Sequence, residues 1–209
     1  MGNTVSRRSL IKGAALAGTV ALAGGLTVGA GRPAHAEEQA SDGQQYGFWI
    51  DTENCVACFD CIEACAKANK TPWDKDRLSY QTIDGIQGDH RTFLVACQHC
   101  TDPACVTVCP AHAITKGEGG IVAVDKERCI GCKYCYHACP FSVPKYTSRG
   151  MDKCDYCREA GVALGEPTNC VAACTHDALH CGTIDDLKAQ SDGKGRAIEC
   201  STGPNCLFS

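Results

Sequence analysis

Aromatic residues make up only 6% of this 209-residue chain, and methionine and tryptophan occur twice each. A chain so poor in large apolar side chains must be ordered by something besides a conventional core. Past residue 31 no run is apolar enough to span a membrane. Basic charge is short as well. Residues 1–36 carry Arg7, Arg8, Lys12 and Arg32 and no acid, and the remainder holds 16 basic against 24 acidic residues, a net of −8. That balance argues against a nucleic-acid partner, which selects a basic patch. There is no nucleotide fingerprint, no defensible pair of catalytic carboxylates and no metal site with an open position. A self-contained reductase is therefore disfavoured.

Cysteine is what the chain has instead: nineteen residues, about nine per cent. The central run is Cys129-Ile-Gly-Cys132-Lys-Tyr-Cys135-Tyr-His-Ala-Cys139-Pro140. Three cysteines at spacing three, a fourth after three more residues and then proline form the bacterial ferredoxin pattern. A tight loop containing Gly131 lets three thiolates converge on a cubane, while backbone N–H groups offset its charge. The fourth cysteine typically reaches a different cluster, so one run implies another. The chain supplies three more groups: Cys55-x2-Cys58-x2-Cys61-x3-Cys65, Cys97-x2-Cys100-x4-Cys105-x3-Cys109-Pro110, and Cys154-x2-Cys157-x12-Cys170-x3-Cys174. Sixteen thiolates in four sets point to four [4Fe–4S] clusters. No ligand position is substituted, which favours four-iron over three-iron clusters.

Rival uses of the cysteines fit less well. Zinc ribbons need Cys-x2-Cys pairs but not the triple, and would leave thiolates unused. Cysteines three apart in tight loops are badly placed to pair as disulfides. Cys181, Cys200 and Cys206 are left over. Cys181 reads as a small core residue, and Cys200 with Cys206 as a disulfide or two free thiols. His99 and His137 sit between cysteines of complete sets, so they read as outer hydrogen-bond donors or surface residues rather than ligands. Lys133 and Tyr134 are expected on a cluster loop.

Residues 1–36 read as an export signal. Ser6-Arg7-Arg8-Ser9-Leu10-Ile11-Lys12 resembles the twin-arginine motif, a weakly apolar Gly13–Gly31 follows, and Ala34-His35-Ala36 is a small-x-small cleavage site. That route carries folded proteins, so an exported chain can still hold clusters inserted beforehand. The expected location is the periplasm or the outer face of the cytoplasmic membrane. Residues 37–45 form a linker. Strands are expected over 46–51, 91–96, 119–125 and 178–184, residues 141–146 continue out of the third group with Pro144 marking an edge or turn, a short helix follows Cys65, and a helical turn over 185–190 is capped by Thr183. Residues 70–90, with Trp73, read as a surface insertion and 191–209 as an extended Gly- and Ser-rich tail.

Cys97-Gln-His-Cys100-Thr-Asp-Pro-Ala-Cys105, Cys129-Ile-Gly-Cys132-Lys-Tyr-Cys135 and Asp152-Lys153-Cys154-Asp-Tyr-Cys157, in that order, resemble the four-cluster electron-transfer subunit of dimethyl sulfoxide reductase-type molybdopterin enzymes. The resemblance covers roughly residues 46–190. It implies an α+β fold of two ferredoxin-like modules: an outer one from 46–95 and 147–190, and an inner one, 96–146, inserted into it. It also implies shared ligand sets. One cluster would take Cys55, Cys58, Cys61 and Cys174; a second Cys154, Cys157, Cys170 and Cys65. A third would take Cys97, Cys100, Cys105 and Cys139; a fourth Cys129, Cys132, Cys135 and Cys109. The chain would be a non-catalytic relay between a membrane quinol-interacting subunit, or another carrier, and a molybdopterin catalytic subunit. The same relay in a cytochrome nitrite reductase or hydrogenase system is the alternative. Proline is missing after Cys174, and Cys181 stands where the family often has an aromatic; both touch local packing and no ligand.

Overall fold

The computed structural model describes residues 43–72, 76–84, 90–148 and 150–209. The expected export signal, most of the linker and Trp73 lie outside them. Among the described residues no helix is long and apolar enough to cross a membrane.

Strand β1 (Tyr46–Ile50) is the centre of the largest sheet. Alternate side chains point to opposite faces of a strand. Phe48 and Ile50 accordingly enter the main core, while Trp49 enters a second one with Leu187 and Leu207. Burial on both faces explains why this segment is apolar without alternation. Gly47 is required here: a Cβ would lie 1.9 Å from the Asn205 carbonyl oxygen.

The rest of the fold is short pieces: α1 (Asp60–Asn69), β2 (Ser79–Asp84), β3 (His90–Val95), α2 (Ala104–Thr107), β4 (Ile114–Lys116), β5 (Val122–Val124), α3 (Tyr134–Ala138), β6 (Lys145–Thr147), β7 (Gly150–Asp152), α4 (Asn169–Ala172), β8 (Leu179–Thr183), α5 (Ile184–Gln190), β9 (Arg196–Ala197) and β10 (Cys206–Phe208). The four-stranded sheet has the order β8-β1-β10-β9, with β8 antiparallel and β10 parallel to β1. Three antiparallel hairpins, β2-β3, β4-β5 and β6-β7, complete a mixed α/β architecture of small sheets and few helices. Helix α1 packs on α4, and α2 on α3. These two pairings carry the first cysteine group to the fourth and the second to the third.

Several expectations change. Residues 191–209 are not an extended tail: β9 and β10 join the sheet, Cys206 and Leu207 are buried, and Trp49 Nε1 donates to Ser209 Oγ at 3.0 Å. The Cys-Leu-Phe triple near the end was the signal for this strand, masked by the Gly and Ser before it. Residues 79–84 are a strand rather than part of a loose insertion, and Arg77 and Leu78 before it are buried. The helix expected after Cys65 begins earlier, at Asp60. Residues 118–120 form a 3-10 turn, and β5 is only the end of the strand expected over 119–125. Thr183 caps α5 as expected, accepting from Asp186 N–H at 3.2 Å.

Candidate metal centres

The first Cys-x2-Cys step of each of the four groups shares one backbone feature. The residue just before the second cysteine has a positive φ in each: Ala57 (54°), His99 (41°), Gly131 (66°) and Tyr156 (60°). This left-handed residue turns the chain so that the second thiol comes round toward the first. L-residues pay for that conformation and glycine does not. At Gly131 a Cβ would meet nothing within 4 Å, so any substitution cost there is backbone strain alone. Gly131→Val is expected to lower unfolding stability by about 1–2 kcal/mol, read from the shift in denaturation midpoint, whereas Ala57→Gly leaves it unchanged or raises it.

These loops bring the thiols together in four places. Cys55, Cys58, Cys61 and Cys174 line one apolar cavity that opens to solvent, with Ile50, Ile62, Phe93 and Leu179 around them. Cys109, Cys129, Cys132 and Cys135 line another. Cys65, Cys154, Cys157 and Cys170 are all buried, and Cys170 has Cys65 and Cys157 as electrostatic neighbours while Cys154 has Cys170 and Cys65. Cys105 has Cys97, Cys139 and Cys100 around it. In each place one thiol comes from a distant group: Cys174, Cys65, Cys139 and Cys109.

Two of the sets also have polar donors or hydroxyls aimed at sulfur. Ala113 N–H donates to Cys109 Sγ at 3.3 Å and Met151 N–H to Cys129 Sγ at 3.4 Å. Tyr146 OH lies 3.2 Å from Cys135 Sγ, Thr168 Oγ1 3.2 Å from Cys170 Sγ, and Asn69 Nδ2 3.5 Å from Cys65 Sγ. Such contacts stabilise thiolate and tune a bound cluster.

Burial pushes the Cys61 thiol up to about 11, and those of Cys65 and Cys105 up to about 12, with neighbouring cysteines adding to the shift. Desolvation disfavours the charged form, so these thiols are neutral before iron binds, and binding it must release their protons. Cys97 differs. Burial also raises it, but Lys153 and His99 beside it prevail and bring it down to about 5.

All nineteen cysteines are free thiols. Cys200 Sγ lies 3.5 Å from Thr202 Oγ1, while Cys206 is buried in β10 with its Sγ 3.9 Å from the Cys97 carbonyl oxygen, so the two are not joined. Cys181 is half-buried against the main core. His137 is exposed on α3, and Lys133 Nζ lies 5.6 Å from the centre of the Tyr146 ring. His99 is fully buried, its Nδ1 accepting from Val122 N–H at 3.1 Å. Sequence reasoning missed Lys153, Arg77, Asn69, Tyr146 and Thr168 as site residues. Only Lys153 stood in a quoted motif, Asp152-Lys153-Cys154; Asn69 and Thr168 lie close in sequence to Cys65 and Cys170 but are residue types that carry no cluster signature, and Arg77 and Tyr146 lie farther from the thiols they serve.

Converging thiol sets on so little secondary structure define a small iron–sulfur protein. Residues 89–184 match the family described as a 4Fe-4S dicluster domain. The chain is 41% identical over 157 residues to the B subunit of the anaerobic dimethyl sulfoxide reductase of Escherichia coli (strain K12), covering 69% of this sequence and 76% of that one. It is 39% identical over 153 residues to the thiosulfate reductase electron transfer subunit PhsB of Salmonella typhi, covering 70% and 80%. Protein NrfC of Escherichia coli (strain K12) is 35% identical over 195 residues, covering 90% and 84%. The chain belongs to this family of iron–sulfur electron-transfer subunits of the dimethyl sulfoxide reductase type.

Proposed function

We infer that this chain is a non-catalytic electron-transfer subunit of an anaerobic respiratory reductase and that it holds four [4Fe–4S] clusters. The observation that carries the reading is the pairing of distant cysteines in single cavities. Cys174 beside Cys55, Cys58 and Cys61, and Cys109 beside Cys129, Cys132 and Cys135, are what shared ferredoxin ligand sets require. The four sets are Cys55, Cys58, Cys61 and Cys174; Cys65, Cys154, Cys157 and Cys170; Cys97, Cys100, Cys105 and Cys139; and Cys109, Cys129, Cys132 and Cys135.

When bound, each cluster takes up and gives back one electron at a potential set by its surroundings. The chain's own residues hold the thiols apart, supply N–H and O–H groups to sulfur, and keep water from the buried set around Cys170. The α1–α4 and α2–α3 pairings support two ferredoxin-like modules, 96–146 inserted between 46–95 and 147–190. The partners are a molybdopterin catalytic subunit, and a membrane quinol-interacting subunit or another carrier. The dimethyl sulfoxide and thiosulfate reductase relatives favour that assignment. The twin-arginine motif favours export to the outer side of the cytoplasmic membrane.

The test is isolation of the native complex without oxygen. A molybdenum or tungsten pterin subunit is expected to co-purify with the mature chain lacking residues 1–36. A complex with a cytochrome or a membrane protein and no pterin subunit would contradict the molybdenum partner.

A further inference from the structure

Two buried side chains stand where two thiol sets meet. Lys153 is 2% exposed and His99 0%, in a chain whose acids outnumber its bases. Lys153 Nζ donates to the Val122 carbonyl oxygen and, at 3.0 Å, to the Cys154 carbonyl oxygen. Cys97 and Cys105 of one set and Cys154 of the other are its electrostatic neighbours. His99 lies on the same seam. Val122 N–H donates to Nδ1 at 3.1 Å, which leaves the ring proton of the neutral imidazole on Nε2. Nε2 is 4.0 Å from Cys154 Sγ, a thiol of the other set. One residue of β5, through the N–H and C=O of Val122, thus fixes both side chains. Cys97 and Cys154 are themselves electrostatic neighbours across the seam.

A buried cation beside two sites is costly unless something negative faces it. The carbonyl oxygens satisfy part of its hydrogen bonding, but neither carries a charge. The thiolates of two occupied sites would supply that charge, and each reduction adds one more negative charge close by, in a medium that screens weakly.

We propose that Lys153, aided by the His99 Nε2–H, is a positioning charge shared by two clusters, the one held by Cys97, Cys100, Cys105 and Cys139 and the one held by Cys65, Cys154, Cys157 and Cys170, and that it raises the reduction potential of both. The inference rests on the ligand sets proposed above. It assigns Lys153 no ligand role and no proton transfer.

The test is a mediated redox titration of the loaded protein followed by electron paramagnetic resonance, comparing wild type with Lys153→Met, Lys153→Gln and Lys153→Arg. Iron content is measured on every sample, and signals are assigned by which of them Cys97→Ala and Cys154→Ala remove. With Met or Gln, the reduction equilibrium constant of those two clusters falls at least tenfold, about 59 mV for one electron, while the other two stay in place and Arg restores most of the loss. No shift, or an equal shift of all four signals with iron retained, would overturn the proposal. Loss of iron in both Met and Gln with retention in Arg would also overturn it, leaving Lys153 a structural support. If Cys97→Ala and Cys154→Ala remove the same wild-type signal, the ligand sets are overturned, and this inference with them.

Discussion

Replacing Cys174 with alanine is expected to remove the same cluster signal as replacing Cys55, while replacing Cys170, only four residues earlier, is expected to remove a different one. The physical reason is where the chain carries each thiol. Cys170 is on α4, buried beside Cys65 and Cys157. Past that short helix the chain delivers Cys174 to the cavity of Cys55, Cys58 and Cys61. Each such variant is expected to lose one cluster, about a quarter of the iron of a four-cluster chain. Iron analysis and electron paramagnetic resonance on the reduced protein read both parts. Cys55→Ala and Cys174→Ala together should cost no more iron than either alone, because both act on one site. Cys170→Ala with Cys174→Ala should cost about twice as much. If Cys170 and Cys174 prove to share a signal, the crossed assignment is wrong.

The second large effect is at Arg77. Its guanidinium is buried and holds Asn69 Oδ1 and Asp155 Oδ1 at 2.8 Å each, Asp152 Oδ1 at 3.0 Å, and Glu159. Lys126 closes the network on Glu159 at 2.8 Å and on Asp152 at 3.4 Å. Asp152 and Asp155 flank Lys153 and Cys154, and Asn69 also donates to Cys65 Sγ, so the network clamps both halves of one thiol set. Arg77→Met leaves the buried Asp155 without its cation and the buried Asp152 with only Lys126, which costs about 3–5 kcal/mol. Arg77→Lys recovers only part, because an ammonium cannot fork between several carboxylates. Denaturant midpoints of the loaded proteins check both. The network also has a pH signature. Burial raises the Glu159 carboxyl, but Lys126 and Arg77 outweigh it and hold the group below the usual carboxylate range. A lowered folded-state pKa gives stability that is full above the ordinary carboxylate value and is lost as pH falls through the lowered one. Arg77→Met should therefore flatten the acid limb of the stability curve.

The clusters were legible in the sequence, and most of the scaffold was not. Spacing alone exposes Cys129, Cys132 and Cys135, because three thiolates on one loop need fixed intervals. It does not say which set receives Cys139, which depends on how α2 meets α3. The spacing suggested that the fourth cysteine crosses to another cluster, and only the family resemblance said which set receives it. β1, β8 and the Thr183 cap were visible because each carries a local signal, β-forming residues in the strands and a hydroxyl at the helix start. β4, β7 and β10 are three residues each. Strands that short have too few positions to show a period and are held by their partners. Arg77 and Lys153 were hidden for a related reason. A buried cation has no sequence pattern of its own, and its carboxylates and thiolates come from segments apart in the chain. The positive φ at Ala57, His99 and Tyr156 was equally hidden, since only Gly131 of the four equivalent positions is the residue that conformation favours.

The most direct test of the central claim is an iron and acid-labile sulfide count on the chain isolated without oxygen, referred to its amino-acid content. The account predicts about sixteen of each per chain, as four cubanes require. About eight of each, or zinc in place of iron, would contradict it.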